Sequence, residues 1–308
     1  MNIRPLLSFL LIILISVTSC TSPRNIIASG KVTPKGAFKV GFNTAFNGAT
    51  APLTEIDNIS KAAVDAIDNN KDSIYYNQSV AALTRGLLAY SLDPVTVTSD
   101  FYLRYGIAER VDVGYKYASG AHVFDAMYQF LGTTGTPDEP GETRGMHGSI
   151  GFQYSGQKSD LPSKVGLDKL SSIFNYQLSR KDILVPLVFS YSFGPEEAYG
   201  NISFGIVYGH SSIKYGFNPT KVLVRKVGNN IERIPSFSSR QNYSSFGAFI
   251  NGKIGYKFAY FVPALSIYHQ NYGTYNLFGL QQESYKGLTF IPSIGLQLNL
   301  GYGKKISE

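Results

Sequence analysis

Tryptophan is absent from this chain, methionine occurs three times, and there is one cysteine, Cys20. The sequence after residue 20 therefore has no thiol, which excludes disulfide bonds, thiolate zinc sites and cysteine nucleophiles from that region. Long apolar runs are also scarce. Residues 6–17 form one run of about a dozen residues, which is too short to cross a bilayer as a helix. A membrane-spanning body would have to be built from strands.

Acidic residues are fewer than basic ones. The chain has 21 Asp and Glu and 28 Lys and Arg, so its net charge is +7. The basic residues are scattered along the chain instead of forming one cluster, so nucleic acid is not an expected partner. An exported chain of this charge would meet anionic lipopolysaccharide and phospholipid first.

The N-terminus has the layout of an export signal. Arg4 supplies a positive charge, and residues 6–17 form the apolar stretch. The residues at its end are Val17, Thr18, Ser19 and Cys20. This tetrad resembles the lipobox of bacterial lipoproteins. The resemblance implies cleavage before Cys20, attachment of diacylglycerol to its thiol, and sorting to the outer membrane because Thr21 is not aspartate. The alternative is an ordinary signal peptide with an incidental cysteine.

The chain is rich in aromatic residues and glycine, with 22 Tyr, 20 Phe and 31 Gly. From Phe38 onward, apolar and polar residues alternate with a period of two, which is typical of a strand with one apolar face. Phe38 and Val40 lie on one face, for example, and Lys39 and Gly41 on the other. Segments of about 9 to 14 residues repeat this alternation about ten times, with roughly twelve as the upper count.

The connections between these segments differ in length. Short turns are predicted at residues 106–110, 194–197 and 257–260, and long connections at 157–181, 211–241 and 271–284. Short turns on one side and long loops on the other are typical of outer-membrane barrels. The pattern resembles the small to medium β-barrel proteins of Gram-negative outer membranes, which implies an all-β fold, an antiparallel up-and-down transmembrane barrel. A soluble periplasmic β-sandwich held by its lipid is the alternative fold.

One segment, residues 53–92, breaks the β pattern. Its apolar residues recur at helical spacing, which predicts two amphipathic helices inserted into the barrel sequence. These residues are Ile56, Ile59, Ala63 and Ile67, and then Val80, Leu83 and Leu87. The predicted organisation is a signal peptide at 1–19, a lipidated tether at 20–36 and a barrel at 37–303 that carries this insertion. The tether is expected at the periplasmic leaflet.

Seven charged residues fall on the polar face of the predicted strands. They are Lys39, Asp100, Arg104, Asp112, Lys116, Asp125 and Lys253. Opposite charges inside a narrow barrel favour a salt-bridge network that fills the lumen. The alternative is a polar path that conducts or binds a small solute.

His210 and Ser212 lie on the apolar face of one strand, near its extracellular end. A histidine and a serine on one face could act as base and nucleophile. The pair resembles the arrangement in outer-membrane lipid A 3-O-deacylases, which implies an esterase acting on lipid A or phospholipid. The likeness stops at two residues, because Ile213 stands where such motifs tend to have Asn. In addition, no carboxylate is placed to orient the histidine.

The sequence thus predicts a monomeric, lipid-anchored outer-membrane β-barrel that is not an enzyme, with a structural role or a narrow channel or binding site for a small solute. The esterase is the alternative function. Expected partners are outer-membrane lipids and the machineries that process lipoproteins and assemble barrels. No metal and no cofactor other than the lipid on Cys20 are expected, since metal-ligand spacings and phosphate-binding motifs are missing.

Overall fold

The protein is described from a computed structural model that covers residues 23–52, 74–75, 78–141, 145–160, 176–218, 222–225, 231–277 and 281–301. Ten strands form one closed barrel. They are β1 (Phe38–Ala49), β3 (Thr96–Ala108), β4 (Val111–Ala118), β5 (Ala121–Leu131), β6 (Met146–Asp160), β7 (Gln177–Phe193), β8 (Gly200–Phe217), β11 (Phe237–Tyr256), β12 (Ala259–Leu277) and β13 (Gln281–Leu300). The remaining strands, β2 (Ile74–Tyr75), β9 (Val222–Arg225) and β10 (Ile231–Arg233), form a separate three-stranded sheet.

Every neighbouring pair in the barrel is antiparallel, and the barrel is closed by β1, which pairs with β13 and with β3. Phe38 lies opposite Leu300 on one side and opposite Tyr105 on the other. The predicted ten-stranded antiparallel barrel is therefore confirmed. The alternative β-sandwich is wrong, because one continuous sheet closes on itself and leaves no edges to form two packed layers.

The outer face of the barrel is apolar and aromatic. On β7 the outward side chains from Phe193 to Ile183 are all apolar or tyrosine, and then Lys181 follows. Ten residues of a strand tilted by about 45° rise roughly 24 Å, which matches the apolar band of outer-membrane barrels. Phe204, Ile206 and Phe246 are 47%, 62% and 65% exposed. A band of this size would be unstable in water and suits hydrocarbon.

The strands are longer than predicted on one side of the barrel. β11 and β13 have 20 residues each and β12 has 19, whereas β4 has eight. Strands continue into both ends of the predicted long connections at 157–181, 211–241 and 271–284, so those connections begin later and end earlier than predicted. Residues 161–175 of the first one lie outside the described residues. Above the apolar band the alternation continues with its faces exchanged. On β8, for example, Tyr215 and Phe217 face inward and are buried, whereas Lys214 faces outward.

Residues 78–92 of the predicted helical insertion form the helix α1 (Gln78–Leu92), so the second predicted helix is confirmed. The first lies outside the described residues. α1 buries Leu88 and Leu92 in an aromatic cluster that includes Tyr243, Tyr272 and Tyr275. The helix therefore closes the end of the barrel that has the long strands. No helix in the described part of the chain is both long enough and apolar enough to cross a membrane.

The segment predicted as a tether has a different position from the one expected. Residues 23–36 run inside the barrel, where Arg24, Lys31 and Thr33 are almost completely buried. A polar linker was expected to lie outside because its composition suits water. The lumen of this barrel has polar side chains that bind the polar residues of the segment, and an apolar cluster in which its Ile26 and Val32 are buried.

Candidate functional site

The lumen is occupied by residues 23–36, called here the luminal segment. It enters beside the short turn after β3, where Gly36 donates a backbone hydrogen bond to the carbonyl of Gly106 at 2.9 Å. Its first described residue is Pro23, whose carbonyl accepts from Gln153 at 2.9 Å. Pro23 also lines one small cavity with Ser119, in the turn at the opposite end of the barrel. The segment therefore traverses the lumen from one end towards the other.

Side chains of the wall satisfy the backbone of the luminal segment. The amide of Val32 donates to Gln129 at 3.1 Å, and the amide and hydroxyl of Thr33 donate to Asp112 at 2.7 and 2.8 Å. Further along, Asn251 donates to the carbonyl of Ala28 at 3.1 Å. Buried backbone groups need such partners. The inward polar side chains thus supply this segment with the backbone hydrogen bonds that a neighbouring strand supplies in a sheet.

Gly30 marks the closest approach of the luminal segment to the wall. A Cβ atom at this position would lie 2.5 Å from the carbonyl oxygen of His147 and 2.9 Å from the amide nitrogen of Ser190. Both are backbone atoms of strands and cannot move aside. Glycine is therefore required here by contact with the barrel.

The first of three charged layers lies at the short-turn end. Glu196 and Glu197, in the turn between β7 and β8, have φ of 50° and 63°, a backbone region that glycine favours. In this conformation Glu196 pairs with Lys31 of the luminal segment, and Glu197 pairs with Lys253 and accepts from Ser29. Burial by itself would raise the pKa of Glu197, but Lys253 and Lys39 outweigh burial and lower that pKa to about 2.

All seven predicted charged residues face the lumen. Six of them form the second layer, and the seventh, Lys253, belongs to the first layer through its pair with Glu197. Arg104 forms ion pairs with Asp112 and Asp125. The other four have different partners. Asp100 accepts from Asn43 at 2.6 Å, Lys39 donates to the carbonyl of Lys31 at 3.2 Å, Lys116 donates to the carbonyl of Asn25 at 3.3 Å, and Lys253 pairs with Glu197. With Asp112, which accepts from Thr33, four of the seven residues therefore bind the luminal segment or the turn that holds it.

The third layer lies below α1 and joins the luminal segment to the cap. Arg24 pairs with Asp93, which follows the helix. Asp93 also accepts from Asn47 at 2.7 Å, Tyr272 at 2.6 Å and Thr289 at 2.8 Å. A second pair, Arg180 and Asp182, lies 2.8 Å apart, and Arg180 donates to the last carbonyl of α1, that of Leu92, at 2.8 Å.

Sequence reasoning missed Arg24, Lys31, Asp93 and the Glu196–Glu197 pair. These charges lie in segments without alternation, so no periodicity shows on which side of the wall they fall. A clue is present in the turn, where two adjacent acidic residues follow Gly194 and Pro195. Only the closed topology shows that they point back into the barrel.

Little free space remains in the lumen. A cavity of about 70 Å³ lies between the luminal segment and the wall, lined in part by Lys39, Arg104 and Lys253. Such a volume holds a few water molecules. No cluster of His, Cys, Asp and Glu that could hold a metal ion occurs among the described residues.

His210 and Ser212 both face outward on β8, as predicted. The imidazole Nδ1 lies 3.4 Å from the hydroxyl of Ser244, on the neighbouring strand. Ser212 lies opposite Lys181 and Asn242. Alternate residues on one face of a strand are about 6.7 Å apart along its axis. The register therefore gives the histidine a different serine from the one proposed as nucleophile.

The described residues thus define an outer-membrane-type β-barrel fold with a filled lumen and an apolar outer band. No family model matches the chain, and no curated protein matches it. Among solved structures, it is similar to the attachment invasion locus protein Ail of Yersinia pestis at 9% identity and a TM-score of 0.30, with 86% of this chain and 99% of that chain covered.

Two further structures give similar values. For the outer membrane protein OprG from Pseudomonas aeruginosa the identity is 7% and the TM-score 0.32, with 89% and 99% covered. For the outer membrane protease OmpT from Escherichia coli the identity is 9% and the TM-score 0.38, with 91% and 100% covered. At these values the likeness carries no statement about activity, and the fold assignment rests on the strand pairing of the chain itself.

Proposed function

We propose that this chain is an outer-membrane barrel closed by its own N-terminal segment, with a structural, non-conducting body and a lipid on Cys20. The observation that carries the proposal is the luminal segment, which fills the lumen through all three charged layers. The apolar band supports the location, because it has the height of a bilayer core. The filled lumen favours a structural role over a narrow channel for a small solute.

The energetics of the lumen support a permanent plug. Removing the segment would leave Asp93 and Glu196 buried without their cationic partners, and breaking a buried ion pair costs about 3–5 kcal/mol. It would also leave the wall side chains that now bind the segment's backbone without these hydrogen-bond partners. A solute path would need all of these groups to be rehydrated together, so we expect the lumen to stay closed.

The course of the segment also bears on where the lipid lies. Gly36 is at the short-turn end, and Pro23 is beside Ser119 at the other end. Cys20 is three residues before Pro23, and three residues reach at most about 10 Å. Short turns face the periplasm in outer-membrane barrels. We therefore place the lipid of Cys20 in the outer leaflet, in contrast to the periplasmic leaflet expected from the sequence.

Planar-bilayer recording tests the closed lumen. The purified full chain is expected to insert without steady single-channel current, whereas deletion of residues 24–33 together with the cap helix at residues 78–92 is expected to give a conducting barrel. Heat-modifiable gel migration shows whether each form is a folded barrel. Steady current from the full chain would overturn the proposal, and so would a folded deletion variant that conducts nothing.

Whole-cell labelling tests the placement of the lipid. A membrane-impermeant maleimide is expected to label Ser22→Cys in intact cells. The control Lys35→Cys, an exposed position at the short-turn end, should be labelled only after the outer membrane is permeabilised. The reverse pattern would put the N-terminus in the periplasm. Mass spectrometry of the mature chain tests the acyl modification itself, which Cys20→Ser should abolish.

A further inference from the structure

Four basic side chains lie together on the outer wall, although they are far apart in the sequence. Lys158, Lys181, Lys214 and Arg240 belong to the adjacent strands β6, β7, β8 and β11, and all four point outward and are exposed. We call this set the basic groove. It is separate from the lumen, since inward and outward residues alternate along each strand.

The strand register brings the four cations into two adjacent rows. In the upper row Lys158 lies opposite Ser179, Ser179 opposite Lys214, and Lys214 opposite Arg240. In the lower row Gly156 lies opposite Lys181, and Lys181 opposite Ser212. Directly opposite residues have Cβ atoms about 5 Å apart, and diagonal neighbours about 7–8 Å. Each cation is therefore next to another one.

Small residues form the floor between the cations. Gly156 has open space above it, and Ser179 and Ser212 carry the shortest hydroxyl side chains. These residues and the four cations line one groove of about 410 Å³. The hydroxyls are additional donors to an anion, and Arg240 offers the planar fork that suits a phosphate.

The charges in the groove are not balanced by the described part of the protein. None of the four cations is in an ion pair with a described carboxylate. Like charges directly opposite each other in a sheet, as Lys214 and Arg240 are, repel each other. Such an arrangement is stabilised by an anion that bridges the two side chains.

The position of the groove relative to the apolar band indicates which anion it binds. One row below it lie Tyr154, Ile183 and His210, and below these begins the apolar band with Val185, Tyr208 and Phe246. The groove therefore occupies the second and third rows above the row at which the apolar band begins, where lipid headgroups lie. At the end of the barrel opposite the short turns, these headgroups belong to the outer leaflet.

We propose that the basic groove binds a phosphate group of an outer-leaflet lipid of the lipid A class, whose acyl chains lie along the apolar band below. This rests on the proposed function, which places this end of the barrel outside. In this assignment Ser212 is part of the floor of a headgroup site, and the phosphate accepts hydrogen bonds from the lysines, Arg240 and the serine hydroxyls.

Native mass spectrometry of the full chain in detergent, titrated with diphosphoryl lipid A, tests the proposal. We expect one tightly bound lipid, weakened at least about tenfold by the double substitution Lys214→Gln and Arg240→Gln, since two charge-assisted contacts are lost. Lys286→Gln is the matched control, because Lys286 is an exposed outward lysine on β13 outside the groove. The affinity of the Lys286→Gln variant for diphosphoryl lipid A should stay within about twofold of that of the unsubstituted chain.

Two further ligands separate the sources of the anion. Lipid A without phosphates should bind as weakly to the unsubstituted chain as diphosphoryl lipid A binds to the double variant. Inorganic phosphate should not displace the lipid at millimolar concentration. Equal binding of lipid A to all variants, equal binding of the dephosphorylated lipid, or displacement by inorganic phosphate would each overturn the proposal.

Heat-modifiable migration and insertion into vesicles are measured on the same samples. If the variants insert as barrels and bind lipid A like the unsubstituted chain, only the groove assignment is wrong. If the unsubstituted chain itself does not behave as a membrane barrel, the proposed function is wrong and the groove assignment falls with it.

Discussion

The two faces of the barrel wall hold their charges in opposite ways. Inside, Arg24, Arg104 and Arg180 each lie against a carboxylate. On the outer wall, Lys214 and Arg240 lie against each other. A buried charge without a partner is very costly, so the lumen requires pairing, whereas the headgroup region is wet enough to tolerate like charges. Pairing supports the proposed structural role of the lumen, and repulsion supports the proposed ligand of the outer wall.

The largest expected effect comes from breaking the third luminal layer. Asp93→Ala leaves Arg24 buried without its partner, so we expect the free energy of unfolding to fall by about 3–5 kcal/mol. Urea titration in lipid vesicles, followed by heat-modifiable migration, measures the change. Asp138→Ala is the control, since Asp138 forms an exposed pair with Lys257 at 2.7 Å and should change stability by at most about 1 kcal/mol. Equal effects at the two positions would contradict the distinction between buried and exposed pairs.

The next effect is the pH dependence of the first layer. The pKa of Glu197 is about 2 in the folded chain and 4.5 in its ordinary state, so the ionised group stabilises the barrel above pH 4.5. This contribution, about 3 kcal/mol, is lost as the pH falls from 4.5 towards 2. Glu197→Gln should remove that part of the pH dependence and lower stability at neutral pH. Unchanged dependence in unfolding titrations between pH 5 and about 2 would contradict the assignment.

A smaller effect is expected where the luminal segment touches the wall. Gly30→Ala places a methyl group against backbone atoms of His147 and Ser190, which should destabilise the barrel by about 1–3 kcal/mol. Gly156→Ala is the matched control, because a Cβ atom there meets nothing within 4 Å. The same urea titration compares the two variants. If they are equally stable, the segment does not press against β6 and β7.

The smallest effect has the opposite sign. Without lipid A, Lys214→Gln removes repulsion from Arg240 and should stabilise the barrel by about 0.2–1 kcal/mol. With saturating lipid A, the same variant should be less stable than the unsubstituted chain, because it loses a contact to the bound phosphate. Melting curves of the variant and of the unsubstituted chain, recorded with and without the lipid, test this change of sign. Curves that shift in the same direction under both conditions would remove the argument for a ligand on the outer wall.

The strands were predictable because each one separates an apolar face from a polar face. Phe38, Lys39 and Val40 already show which side of β1 faces out. The length of β11 to β13 was not predictable from an apolar outer face, since above the apolar band the outward residues are polar and the buried aromatic ones, such as Tyr243, Tyr272 and Tyr275, face inward to the cap. Topology alone shows where those strands continue to pair.

The two sites were less predictable than the fold. Arg24 and Lys31 lie in a polar, glycine-containing stretch whose composition is the same for a solvated linker and for a segment inside a polar lumen. The basic residues look scattered in the sequence, but the register places Lys158, Lys181, Lys214 and Arg240 side by side. Sequence distance says little about proximity when neighbouring strands are long.

Hydrogen exchange of the native chain in lipid vesicles tests the central claim most directly. The amides of Gly30, Val32 and Thr33 donate to side chains of the wall, so the peptide covering residues 23–36 should exchange as slowly as the barrel strands. The turn at Glu109 and Arg110, which are exposed and lie outside the strands, is the fast-exchanging reference. Slow exchange of the segment supports a barrel closed by its own N-terminus. Exchange as fast as that of this turn would mean that the lumen is not filled by this segment.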